Sequence, residues 1–153
     1  MWTRQLRLNH KEKLALVEAP ILYAKGYPDF PISGLSNYSE NVQSVRKSLY
    51  LNDGDHTQTE AVLVCEPDNP YSQSRTAVAV YVADLKVGYV PNLSSSLFFD
   101  VVSSVGGVGR ASCRFYYSND GSSSCRLDVN FPPTFSAPSR NPKLVILEGP
   151  ETY

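Results

Sequence analysis

Chemistry at neutral pH needs a base, a nucleophile or a metal within reach of one another. The residues that supply these are sparse in this chain. Its two histidines, His10 and His56, lie in a charged segment and a polar loop, the usual setting of solvated surface histidines. Asp53, Asp55, His56 and Glu60 crowd one short stretch, but without the alternating acidic spacing of a calcium loop. Gly106-Gly107-Val108-Gly109 lacks the spacing of a dinucleotide loop and precedes a strand, so it reads as a connector. No Gly-x-Ser-x-Gly elbow and no evident carboxylate pair occurs. Cys65, Cys113 and Cys125 are odd in number and form no Cys-x-x-Cys, which argues against a zinc ribbon or a disulfide framework. All three sit in apolar runs and read as small buried hydrophobes; Cys113 and Cys125 flank a turn. These residue types point away from catalysis, a metal or a cofactor.

The chemistry that remains is binding. In 64-VCEPDNPYSQSRTAVAVYV-82 an apolar run breaks into a loop in which Asn69 and Tyr71 stand around Pro70. Proline fixes its own φ and holds the residue before it extended, so this loop is stiff. Tyr38 and Tyr89 lie at strand ends or just beyond, where barrel loops converge. A tyrosine ring that stacks on a nucleobase contributes about 1–3 kcal/mol. The competing assignment is structural: the tyrosines cap the fold and Asn69 closes a turn. Arg75, Arg46 and Lys47 are either phosphate contacts or ordinary solvated charges.

The elements that must position these residues follow from periodicity. Residues 1 to about 30 read as an extension, basic at its start (Arg4, Arg7, Lys11, Lys13). Leu6 and Leu8 alternate as in a strand, whereas Leu14, Val17 and Ile21 suit a helical stripe. Ile32 to Leu35 reads as a short strand ending near a glycine. A helix follows to about Leu49, with Ser39 as N-cap and Val42, Val45 and Leu49 on one face. Asn52 to Gln58 reads as a polar loop. Glu60–Cys65, Thr76–Ala83 and Lys86–Val90 read as three strands, the second alternating Val78, Val80 and Val82, with a tight turn at Asp84-Leu85. Pro91 opens a helix to about Ser103 with Leu93, Leu97, Phe98, Val101 and Val102 at helical spacing. Arg110–Tyr117 and Ser123–Phe131 form a hairpin around Asn119-Asp120-Gly121. A Pro-rich extension, residues 132 to 153, closes the chain, and Lys143 to Leu147 within it reads as an edge strand. The predicted fold is mainly β: a small barrel with two helices filling its ends, which buries one face of each strand and removes open edges.

Bulk properties set limits on partners. With 153 residues, 42% apolar and 19% charged, the chain has the composition of one globular domain with extensions. Fourteen basic residues against fifteen acidic ones give a net charge of −1, so no global positive field draws in nucleic acid. Neither a signal peptide nor a membrane-spanning run is read in the sequence, so a soluble, reducing, cytoplasmic setting is expected.

Taken together, Glu66-Pro67-Asp68-Asn69-Pro70-Tyr71, Ala77-Val78-Ala79-Val80 and Lys86-Val87-Gly88-Tyr89-Val90-Pro91 resemble the HIRAN domain family in order and spacing. Gly34-Leu35-Ser36-Asn37-Tyr38 is similar to that family's first motif. The resemblance covers residues 31 to 131. It implies an OB-like β-barrel with two helices and a pocket for the 3′ end of single-stranded DNA. The site residues it implies are Asn37, Tyr38, Asn69, Tyr71, Ser72, Tyr89 and Asn92, with Arg75 from an insertion before Ala77. It also implies an accessory protein of bacterial or phage type, acting beside a helicase or nuclease partner. Four positions depart from the family pattern: Ser36 stands for an arginine, Asn37 for an aromatic, Ser72 for an acid and Asn92 for a lysine. These losses favour the alternative of a protein-interaction adaptor that keeps the barrel without DNA-end recognition.

Overall fold

A computed structural model describes residues 13–17, 19–135 and 143–147. In chain order the elements are β1 (Lys13–Val17), β2 (Phe30–Pro31), a 3-10 turn (Leu35–Tyr38), α1 (Ser39–Ser48), β3 (His56–Glu66), β4 (Ala77–Val82), β5 (Leu85–Tyr89), α2 (Asn92–Ser103), β6 (Val108–Tyr116), β7 (Ser124–Asp128) and β8 (Lys143–Leu147). The fold is mainly β, a small α+β barrel. Six strands form one antiparallel sheet in the order β2-β7-β6-β3-β4-β5.

The two ends of that order meet. Two residues beyond β2, Ser33 exchanges both backbone hydrogen bonds with Tyr89 of β5, each 2.9 Å. The close approach depends on Gly88, since a Cβ there would lie 2.3 Å from the Ser33 carbonyl oxygen. Inside the curl, Leu63, Val80, Phe115 and Leu127 from the strands share one core with Val42 and Val45 of α1 and Phe98 and Val102 of α2. The helices thus bury their apolar faces into the sheet's concave side. A smaller cluster of Ala19, Val64, Ala79, Tyr81 and Val108 lies on the opposite, outer face.

Several sequence expectations change. Lys13–Val17 is a strand paired with β8, not part of a helical stripe, so β8 joins β1 rather than the main sheet's edge; Leu6 and Leu8 lie outside the described residues. Ala19 and Leu22 are buried, and Ile21 bridges Arg110 in parallel. Leu35 opens the 3-10 turn instead of ending a strand. Ser39 is already helical, and Tyr38 precedes the helix with no side-chain cap. β3 begins at His56, in the stretch read as a loop, because β6 pairs with it along that length. Alternation of exposed His56, Gln58 and Glu60 with partly covered Thr57 and Thr59 replaces the apolar signal. The turn after β4 falls at Ala83-Asp84, both with positive φ. On α2 the buried positions are Ser95, Phe98 and Val102, while Leu93 is 99% exposed and Leu97 41%.

The cysteines are free and buried. Cys113 faces Leu127, and Cys125 faces Phe115, which makes the two thiols diagonal neighbours in the core. Burial and the Asp100 carboxylate push the Cys65 thiol up to about 12. Among the described residues, no group of three His, Cys, Asp or Glu side chains is arranged to hold a metal. Asp53 and Asp55 instead accept backbone N–H bonds from Asn119 and Asn52. No helix among the described residues is long and apolar enough to cross a membrane.

Candidate functional site: an uncharged aromatic cleft

The prolines of the 66–76 loop have a defined use. Asn69 N–H donates to the Glu66 carbonyl at 3.2 Å, and Ser72 N–H to the Asn69 carbonyl at 3.1 Å. Two β-turns therefore follow each other, with Pro67 and Pro70 each at the second position, where a fixed φ near −65° suits the turn. The Asn69 carboxamide oxygen also accepts the Tyr71 N–H at 2.8 Å. A further turn closes from Ser72 to Arg75 at 3.3 Å, and Ser72 Oγ accepts the Thr76 N–H at 3.1 Å. The result is a rigid ledge that leaves the Tyr71 side 93% exposed.

Below the ledge lies a buried polar network. Lys86 Nζ donates to Glu66 Oε2 at 2.7 Å, with both residues about 5% exposed (Lys86 6%, Glu66 5%). The Tyr89 hydroxyl donates to Glu66 Oε1 at 2.8 Å and accepts from Lys86 Nζ at 3.1 Å. Asn69 Nδ2 reaches both Glu66 Oε1 (3.0 Å) and the Tyr89 oxygen (3.1 Å). The Lys86 ammonium also lies 5.1 Å from the Tyr89 ring centre and 5.9 Å from that of Tyr81. Burial, then the neighbouring Glu66 carboxylate, hold the Tyr89 hydroxyl far above the usual phenol range. Tyr89 is therefore a neutral, fixed ring at any ordinary pH.

A β-bulge makes this network possible. Along β5, Lys86 pairs with Tyr81, but Gly88 pairs with Val80 and Tyr89 with Ala79. One extra residue on β5 rephases the strand, so Lys86 and Tyr89, three positions apart, both face outward with Tyr81 and Ala79. Glu66, paired with Ala77, shares that outer face.

The cleft that results has a volume of about 800 Å³. Seven of the eight residues expected at the site line it: Asn37, Tyr38, Asn69, Tyr71, Ser72, Tyr89 and Asn92. They come from the 3-10 turn, the proline ledge, the end of β5 and the start of α2. The Tyr38 and Tyr89 rings meet at 6.4 Å with 51° between their planes, forming a corner rather than a parallel slot. The cleft sits on the outer side of the sheet, since Tyr89 packs on the outer cluster. Arg75 is exposed and is not part of the lining. Ser36 lines a separate cleft of about 280 Å³ beside Gln43 and Ser118. Arg46 has its guanidinium 5.0 Å from the Tyr117 ring centre, on α1.

Sequence reasoning missed Glu66 and Lys86 as parts of the site. Period-2 reading of β5 sets Lys86 and Tyr89 on opposite faces, and only the bulge brings them together. The one signal present was a lysine in a short apolar strand, which burial makes costly without a partner.

No family model, no curated protein and no solved structure matches the chain.

Proposed function

We propose that the protein is a non-catalytic module that binds single-stranded nucleic acid, a 3′ end of single-stranded DNA in particular, in the Tyr38–Tyr71–Tyr89 cleft. The observation that carries this reading is the convergence of seven residues from four separate chain segments on one cleft. They are the residues named from the HIRAN-like motifs. An exposed ring on a stiff ledge beside two fixed rings suits base stacking, worth about 1–3 kcal/mol per base. Ser72 supplies a hydroxyl where the motif carries an acid, so contact with a terminal hydroxyl is a neutral hydrogen bond, roughly half as strong as a charge-assisted one.

The test is a titration at low salt of labelled single strands ending in 3′-hydroxyl or 3′-phosphate, beside a blunt duplex. Single-strand binding with a preference for the 3′-hydroxyl, lost in Tyr71→Ala, supports the reading. Failure of every strand to bind rejects it.

A second reading, a protein-interaction adaptor, has its own support. Leu93 and Leu97 are one turn apart and exposed on α2, directly after the cleft residues Pro91 and Asn92. The net charge of −1 also offers a polyanion no long-range attraction. Failure of strand binding together with a defined protein complex weakened by Leu93→Ser favours this reading.

A further inference from the structure

The cleft's electrostatics limit which part of a strand it can hold. None of its lining residues is charged. The cation beneath it, Lys86, is buried and spent on Glu66 at 2.7 Å. Arg75 stays outside the lining. The electropositive features of the lining are two helix starts without side-chain caps, Gly34 before the short 3-10 turn and Pro91-Asn92 at α2, and even a full helix start carries only about half an elementary charge. Against this stand three tyrosines and several neutral hydrogen-bonding groups. Asn69 is committed inward, to Glu66, Tyr89 and the Tyr71 N–H. Asn37 and Asn92 are instead exposed at the rim, where a carboxamide can meet a base edge.

We infer that the cleft grips the nucleoside part of its ligand, base and sugar, with at most one phosphate contact. This rests on the nucleic-acid reading and narrows it: the ligand class is a terminal, uncharged nucleoside moiety, not a length of backbone. Affinity then comes from stacking and neutral hydrogen bonds, which salt does not screen. A strand gripped by its phosphates behaves differently, since each neutralised phosphate of a single strand adds about −0.7 to the slope of log K against log salt.

The experiment measures binding of a short labelled single strand between about 50 and 200 mM salt, with competition by free 2′-deoxyadenosine and by its 5′-monophosphate. The expected slope is no steeper than about −0.7, with nucleoside and monophosphate displacing the strand within about twofold of each other. Asn92→Lys, an exposed change, is expected to steepen the slope by about 0.7. A strand that binds with a slope of about −1.4 or steeper, the value for two or more phosphates, or that the nucleoside cannot displace, overturns this inference and leaves the nucleic-acid reading standing. A protein that binds no strand at any salt overturns that reading, and this inference with it.

Discussion

At the residue scale, Asn69 joins the visible site to its hidden support. One face of its carboxamide sets the Tyr71 turn, and the other steadies Glu66 and Tyr89. Asn69→Ala is expected to cost about 1–2 kcal/mol of stability, from the lost bonds and the donors and acceptors left short, and to weaken ligand binding through Tyr71. Denaturant unfolding and strand titration read the two effects separately. Tyr71→Ala should behave differently: an exposed side chain changes stability by less than about 0.5 kcal/mol, while loss of a stacking ring costs about 1–3 kcal/mol of binding, roughly 5- to 150-fold. The Glu66–Lys86 pair makes a third case. Glu66→Leu leaves a buried ammonium without its partner and should destabilise by about 3–5 kcal/mol, whereas adding Lys86→Met to it should recover much of that loss. A double-mutant cycle by chemical denaturation checks it. If the double variant is as unstable as the sum of the singles, the two residues are not the coupled pair described.

At the scale of elements, β5 decides the geometry. Its bulge turns both Lys86 and Tyr89 outward, and Gly88 lets Ser33 close the barrel seam. Gly88→Ala forces a Cβ to within 2.3 Å of the Ser33 carbonyl oxygen. The expected result is a loss of about 2 kcal/mol or more and faster hydrogen exchange at the Ser33 and Tyr89 amides; unchanged exchange there would show that the seam does not depend on this glycine. Ala83 and Asp84 both hold positive φ, at 49° and 68°, in a two-residue hairpin connection. Ala83→Asn with Asp84→Gly fits that turn and should stabilise by about 0.5–1 kcal/mol.

The element scale also explains how much the sequence could show. The alternation of β4, the β6–β7 hairpin and both helices were legible, because each is a local pattern. The bulge was not, because it depends on which β4 residue each β5 residue meets. The early start of β3 was invisible because pairing with β6 supplies what an apolar run normally does. The exposure of Leu93 and Leu97 was hidden because helical spacing gives a stripe without saying which neighbour faces it. Seven cleft residues could be named from motifs, yet the Glu66–Lys86 pair beneath them spans twenty positions and only the folded sheet joins it.

For the molecule as a whole, buried acids set the alkaline behaviour. The folded chain holds the Tyr89 proton and the Cys65 proton well above their ordinary values. The unfolded chain releases them near pH 10 and pH 8.5 respectively. Between those values and the folded ones the native state binds more protons, so stability falls as pH rises. Thermal midpoints should therefore decline progressively above about pH 9, while the three thiols stay unreactive to thiol reagents until the chain unfolds. Binding in the cleft itself is read by amide chemical-shift mapping of the isotope-labelled chain as a short single strand is added. Shifts concentrated at Gly34, Asn37, Tyr71, Ser72 and Asn92 are the predicted result. No shifts, or shifts centred on the second cleft at Gln43, Ser118 and Asn119, would contradict it.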